Sequence, residues 1–274
     1  MALSSIAEAQ TFFTSAEFGL GVGGSQYFGD LNDRYGFKTP GLAAGLYCRK
    51  HFTQYISARI GGYYTNVSYS DKLNADQFQR QRNLDFHSNI IELSAQAEFN
   101  FFRFTTGDPY HRITPYLTGG IGAFMYNPYT YLNGTKYDLR PLGTEGQFTG
   151  GYDDRKYSNM SVCFPIGVGV KFWLRPGVNL TLEISDRLTM TDYLDDVSTT
   201  YVGQDRFPLS QQNPTYLLQD RSAETGAEPL GRKGKQRGNS ATKDQYLMGM
   251  LSISWHFVTY RCPSFMDKDM ISTY

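Results

Sequence analysis

The sequence predicts an all-β fold, an eight-stranded antiparallel transmembrane β-barrel with long extracellular loops and short periplasmic turns. Three observations carry this. Eight segments alternate between apolar residues and small or polar ones, with the period of two that puts successive side chains on opposite faces of a strand. The connections between them alternate short and long, as the turns and loops of a membrane barrel do. The less apolar face is mostly Gly, Ser, Ala and Tyr, not the Lys, Glu and Thr of a water-facing sheet.

Taken in order, the first strand sets Ala16, Phe18, Leu20 and Val22 against Glu17, Gly19, Gly21 and Gly23. The second sets Leu42, Ala44 and Leu46 against Gly41, Ala43 and Gly45, and the third sets Ile56, Ala58 and Ile60 against Tyr55, Ser57, Arg59 and Gly61. The fourth, "IIELSAQAEFNFF", is the cleanest: Ile91, Leu93, Ala95, Ala97, Phe99 and Phe101 alternate with Glu92, Ser94, Gln96, Glu98 and Asn100. Leu117, Ile121, Ala123 and Met125 define the fifth. Val162, Phe164, Ile166, Val168, Val170 and Phe172 define the sixth, the most apolar. Leu180, Leu182 and Ile184 mark the seventh, and Leu247, Leu251, Ile253, Trp255 and Phe257 the eighth. Segments of roughly nine to eleven residues suffice to cross a bilayer at a tilt.

Short links follow the second, fourth and sixth strands ("CRKHFTQ", "TTGDPYHR", "RPGVN"); long ones cover about residues 27–39, 65–88, 127–160 and 189–244. The apolar face therefore meets lipid, and the small polar face fills a narrow interior packed with side chains. Charges inside need partners. Pairing of the third and fourth strands brings Arg59 near Glu98, and a three-residue turn at Pro176 and Gly177 sets Lys171 opposite Glu183 and Phe172 opposite Leu182. Aromatic residues near strand ends, Tyr63, Tyr64, Phe99, Phe101, Tyr126, Trp173, Trp255 and Phe257, have the distribution of interfacial girdles.

Composition adds exclusions. Lys plus Arg equals Asp plus Glu at 26 each, so no global field points to nucleic acid. No apolar run reaches the eighteen or so residues of a transmembrane helix. Cys48, Cys163 and Cys262 form no metal-ligand cluster; Cys48 and Cys262 fall at the same rim, separated by one strand, where a disulfide fits the topology. Cys163 points inward.

Catalytic groupings are not evident. His51, His87, His111 and His256 lack a Ser and carboxylate at nucleophile–base spacing. The paired acids Asp153–Asp154 and Asp195–Asp196 lie in loops. "GDLND" (Asp30, Asn32, Asp33) and "TDYLDD" (Asp192, Asp195, Asp196) are oxygen-rich but lack a twelve-residue calcium loop with its closing Glu. The basic run "GRKGKQRG", with Arg232, Lys233, Lys235 and Arg237, reads as a solvated loop, or on the outer face as a contact for anionic lipopolysaccharide. No catalytic, cofactor or metal residue is assigned.

"FGLGVGGSQYFGDLN", "NLDFHSNIIELSAQAEFNFF", "TPYLTGGIGAFMYNP", "LRPLGTEGQ", "FPIGVGVKFWL" and "TDYLDDVSTTYV", in that order, resemble the PorG-like outer-membrane family of the type IX secretion system. The likeness runs from about residue 17 to 263, and its most specific pieces are "PLGTEGQ" and "TDYLDDVSTTY". It implies a non-enzymatic barrel, integral to the bacterial outer membrane, that tethers a periplasmic ring of lipoprotein and partner subunits. The stretch 203–244 matches little. By the topology the two specific motifs lie at the outer end, where they either plug the barrel mouth or touch another outer-membrane component.

Residues 1–9, ending in Ala7-Glu8-Ala9, are read as a residual signal-peptide end, 10–259 as the barrel and 260–274 as a periplasmic C-terminal tail. The ring contact is expected on the periplasmic surface, at Arg49, Lys50, Phe52, Asp108, Tyr110 and Arg175, and on the tail at Phe265, Met266 and Met270. Outer-membrane lipid is the other partner; nucleic acid is not one. Two alternatives stay open: a lipid-modifying outer-membrane enzyme using His87, and a soluble ligand-binding β-barrel.

Overall fold

The structure is a computed structural model; it describes residues 14–104, 110–207, 213–226 and 228–259. Its strands are β1 (Thr14–Phe28), β2 (Gly41–His51), β3 (Ile56–Ser70), β4 (Asp85–Asn100), β5 (Ile113–Leu132), β6 (Thr135–Asp138), β7 (Met160–Arg175), β8 (Val178–Thr189) and β9 (Gln245–Thr259). Eight of them pair antiparallel with their neighbours, and β9 returns to β1 over its whole length, so the sheet closes with no free edge. β6 stands outside the ring as a hairpin extension of β5.

The barrel is inside-out, as lipid requires. Leu20, Val22, Leu42, Ile60, Ile91, Leu93, Ile166 and Val168 all lie on the exposed face, while the alternate residues are buried. The interior interlocks large with small: a Cβ added at Gly19 would sit 2.2 Å from the Tyr47 ring, and one at Gly169 would sit 2.6 Å from Tyr116. Glycine at these positions makes room for the tyrosine directly opposite it on the neighbouring strand.

The strands are longer than crossing demands. β5 runs for 20 residues and β4 for 16, more than the nine to eleven or so that a tilted crossing uses. Asn133 and Gly134, with φ of 51° and 80°, make the two-residue turn into β6, replacing part of the expected 127–160 loop. Short helices lie in the outer connections: α1 (Gln77–Arg82), α2 (Leu139–Leu142) and α3 (Pro214–Gln219). No helix among the described residues is long and apolar enough to cross a membrane.

Two expectations of register and facing need correction. Lys171 lies opposite Thr181 and Phe172 opposite Leu180; Glu183 faces Gly169. The turn is two residues long, with Gly177 at φ 75°, and an irregularity between Trp173 and Arg175 absorbs one more residue, which shifts the ladder by two. Tyr63 and Tyr126 are buried inside and belong to no girdle, since neighbours on a strand face opposite ways. Tyr64, Phe99, Phe101 and Phe257 are exposed on the outer face.

Candidate functional site: a filled lumen under a folded cap

Among the described residues, eight charged side chains project into the lumen, four acids (Glu17, Glu92, Glu98, Glu183) and four cations (Arg49, Arg59, Lys171, Arg187), all buried. Glu98 is the hub. Lys171 Nζ lies 2.7 Å from it, Arg49 Nε 2.8 Å and Arg59 Nε 3.4 Å. Arg59 also grips Glu183 with both terminal nitrogens, at 2.8 and 2.9 Å, and Tyr116 donates to the same carboxylate at 2.5 Å. Lys171 therefore pairs with Glu98 and not, as the register expectation had it, with Glu183.

Toward the short-turn end, Glu17 takes Arg49 at 2.6 Å, His51 at 2.8 Å and Asn179 at 2.8 Å. Toward the outer end, Arg187 reaches Glu92 at 3.1 Å, and the Tyr246 hydroxyl donates to it at 2.8 Å. Tyrosine rings lie beside the cations: Tyr47 lies 4.9 Å from Arg49 and 5.3 Å from Arg59, and Tyr116 lies 4.5 Å from Lys171. Charge is balanced within the set, and each acid has a cation in reach, which is what burial of eight charges requires.

Above this network the long connections fold inward. Glu145, from "PLGTEGQ", is buried and accepts from the Ser198 amide at 2.9 Å and the Thr199 hydroxyl at 2.7 Å, both in "TDYLDDVSTTY". Arg237 ties the same point, 3.0 Å from Glu145 and donating to the Asp196 carbonyl at 2.6 Å. Asp196, in the left-handed region at φ 64°, accepts from Thr144 at 2.5 Å and Tyr157 at 2.6 Å. Leu194 and Val197 drop into the apolar cluster with Tyr27, Phe86 and Met248 at the barrel mouth. Arg82, paired with Asp71 at 2.7 Å, donates to the carbonyls of Asp30 at 3.1 Å and Arg237 at 2.5 Å, binding the first, second and fourth long connections.

Of the two placements the sequence left open for these motifs, the structure has the plug. Burial pushes the Asp196 carboxyl up to about 6 and that of Asp192 likewise to about 6. Asp195 rises as well, from burial and then from the charge of Asp244, and Asp244 rises from burial and then from the charge of Asp30, with the Tyr27 hydroxyl between the two at 2.6 and 2.8 Å.

The residues singled out at the short-turn end separate into two groups. Arg49 is inside the lumen: β2 continues to His51, so Arg49 faces inward and offers nothing to a periplasmic partner. Lys50, Phe52, Tyr110 and Arg175 are exposed, with the Lys50 ammonium 5.7 Å from the Phe52 ring. Asp108, Phe265, Met266, Met270 and Cys262 lie outside the described residues, as do residues 1–9 and the tail. Cys48 is exposed on the barrel wall and Cys163 is buried inside. Among the described residues no group of three or more His, Cys, Asp or Glu is placed to hold a metal ion.

Sequence reasoning missed Arg82, Arg237 and Glu145, the residues that hold the cap. Arg237 sat within a run read as solvated, and nothing in that run marks it from Lys233 or Lys235, which are exposed. Glu92 and Arg187 had a signal, since each lies on the less apolar face of its strand.

A closed ring of eight antiparallel strands, an apolar exterior, a charge-paired interior and alternating connections define an integral β-barrel of the outer-membrane type. The chain belongs to the family described as Domain of unknown function (DUF6089), whose model matches residues 1–207. None of the curated protein sequences compared with it matches. Among solved structures it is similar to Ail, the attachment invasion locus protein of Yersinia pestis, at 11% identity over 89% of this chain and 99% of that one, with a TM-score of 0.42. It is similar to Neisserial surface protein A at 11% identity over 88% and 97%, TM-score 0.42. OprG of Pseudomonas aeruginosa matches at 7% identity over 90% and 96%, TM-score 0.36.

Proposed function

We propose that this barrel is a non-enzymatic component of the type IX protein secretion system, integral to the bacterial outer membrane, and that it tethers the periplasmic lipoprotein ring to that membrane. The observation that carries the reading is the filled lumen. A bore occupied by eight paired charges and closed by a cap gives cargo no path, so the working surfaces are the lipid-facing wall and the rims. The wall supplies anchorage in outer-membrane lipid and lipopolysaccharide. The short-turn rim, where Lys50, Phe52, Tyr110 and Arg175 are exposed, supplies the ring contact together with the tail residues Phe265, Met266 and Met270. The motif order of the resemblance supports the assignment to this machinery.

The test is a tagged pull-down from outer membranes solubilised in mild detergent, with co-purifying proteins identified by mass spectrometry. Tail-truncated (after Tyr260) and Lys50→Glu/Phe52→Ala forms run alongside. The reading predicts periplasmic lipoprotein ring subunits with the parent chain and their loss from the variants. Recovery of the barrel alone would overturn it.

A further inference from the structure

The outer face carries a cleft of about 620 Å³ between the first, second and fourth long connections. Its volume falls in the usual range for small-ligand sites, roughly 300–1,000 Å³. Its construction is specific. Buried Asn32 pins the first connection, donating to the Tyr27 carbonyl at 2.7 Å and the Gly36 carbonyl at 2.9 Å while accepting from the Gly36 amide at 2.9 Å. Held between these bonds, Tyr35 takes φ 53°, a left-handed conformation that a bulky side chain rarely adopts, and the residue stands 60% exposed on the cleft wall. Strain of this kind persists only where the surrounding structure holds it, and it clusters at ligand-binding and active sites.

The Tyr35 ring is fixed from two sides. Phe28 lies 4.9 Å from it, centroid to centroid, and Gln245 Nε2 donates to its hydroxyl at 3.2 Å. A second aromatic, Phe78, lines the cleft from the start of α1. The deep cations Arg82 and Arg237 are engaged with Asp71 and Glu145 and lend the cleft little charge. What remains accessible is Asp33, Lys243, Asp76 with the exposed Arg34 guanidinium 3.8 Å from it, the amides of Gln236 and Asn239 and the Thr242 hydroxyl, two negative and two positive groups among neutral hydrogen-bonding ones.

An exposed, pre-positioned aromatic face ringed by planar polar side chains suits a ligand with an apolar C–H face and a girdle of hydroxyls. A balanced charge suits an uncharged one. We propose that this cleft binds a neutral pyranose sugar, stacked on Tyr35 and hydrogen-bonded by Asp33 and Asn239. This does not depend on the tether reading, because it concerns the opposite end of the barrel.

The test uses the full chain folded in detergent and saturation-transfer NMR with the methyl glycosides of glucose, galactose, mannose and N-acetylglucosamine. Glucuronic acid and glucose 1-phosphate are run as charged counterparts. At least one neutral glycoside is expected to bind, with at least tenfold weakening in Tyr35→Ala, retention in Tyr35→Trp and no change in Phe148→Ala, an exposed aromatic outside the cleft. Tyr35→Gly, which removes the left-handed strain, is expected to keep the fold by heat-modifiable gel mobility and still lose binding. The proposal fails if no neutral glycoside binds, if a charged sugar binds more tightly than every neutral one, or if folded Tyr35→Ala and Tyr35→Gly bind like the parent.

Discussion

Replacing Glu98 with Gln would test the lumen network at its hub. Glu98 is the common partner of Lys171, Arg49 and Arg59, at 2.7, 2.8 and 3.4 Å, and accepts from Ser57 at 3.2 Å. The amide keeps the shape and removes the charge, so the set changes from four acids and four cations to three and four. Removing one partner of a buried pair and leaving the other uncompensated costs about 3–5 kcal/mol. Arg59 retains Glu183 and Arg49 retains Glu17, which leaves Lys171 as the stranded charge and puts the cost near the lower figure, about 3 kcal/mol. That is more than a hundredfold in the folded-to-unfolded ratio. Urea unfolding from lipid vesicles, followed by the fluorescence of Trp173 and Trp255, reads it directly. The double variant Glu98→Gln/Lys171→Met restores balance and is expected to lose less than the sum of the two single changes by at least about 1 kcal/mol. A Glu98→Gln barrel within about 0.5 kcal/mol of the parent, with an additive double variant, would mean that Glu98 does not hold the lumen network together.

Three further outcomes follow from the same geometry. The Asp196 carboxyl, near 6 in the fold against an ordinary 3.8, binds its proton more tightly folded than unfolded, so cap stability falls as pH rises from about 4 to about 6 and then levels, a loss of about 3 kcal/mol. Hydrogen exchange across 190–244, corrected for intrinsic rate, should be faster at pH 7.5 than at pH 4.5, and Asp196→Asn should reduce the difference, leaving the share carried by Asp192, Asp195 and Asp244; equal rates in the parent would contradict this. Leu93, exposed on the wall of β4, should tolerate Ile but lose about 2–4 kcal/mol of folding free energy in vesicles on substitution by Arg, whereas a neutral result would mean the face does not meet lipid. A Cβ at Gly23 would lie 1.9 Å from the Gly249 carbonyl oxygen at the β1–β9 seam, so Gly23→Val should hinder closure and reduce the heat-resistant folded band.

Period-two alternation made the strands legible, because lipid on one side and a cramped interior on the other impose it at every position from Ile91 to Asn100. It reveals faces but not partners across the bore. Arg59 meets Glu183, 124 residues away, and Lys171 meets Glu98, 73 residues away, through curvature that joins strands with no shared ladder. Arg59 near Glu98 could be read because β3 and β4 are neighbours; Lys171 was misassigned because a two-residue turn and an irregularity moved the ladder by two. Asn133-Gly134 between "YTYL" and "TKYD" is a strong hairpin signal, and the β6 extension was readable there. Arg49 was misplaced because the end of β2 was set too early. The cap was legible only as motifs placed at the outer end without their partners, since Glu145 and Arg237 find each other through loops that carry no periodicity.

Ion conductance across planar bilayers containing the purified, folded chain shows whether the bore is sealed, as the proposed anchor role requires. A silent membrane is expected, because the charge network and the folded cap fill the bore. Regular, stable conductance steps that track the amount of inserted protein would contradict it.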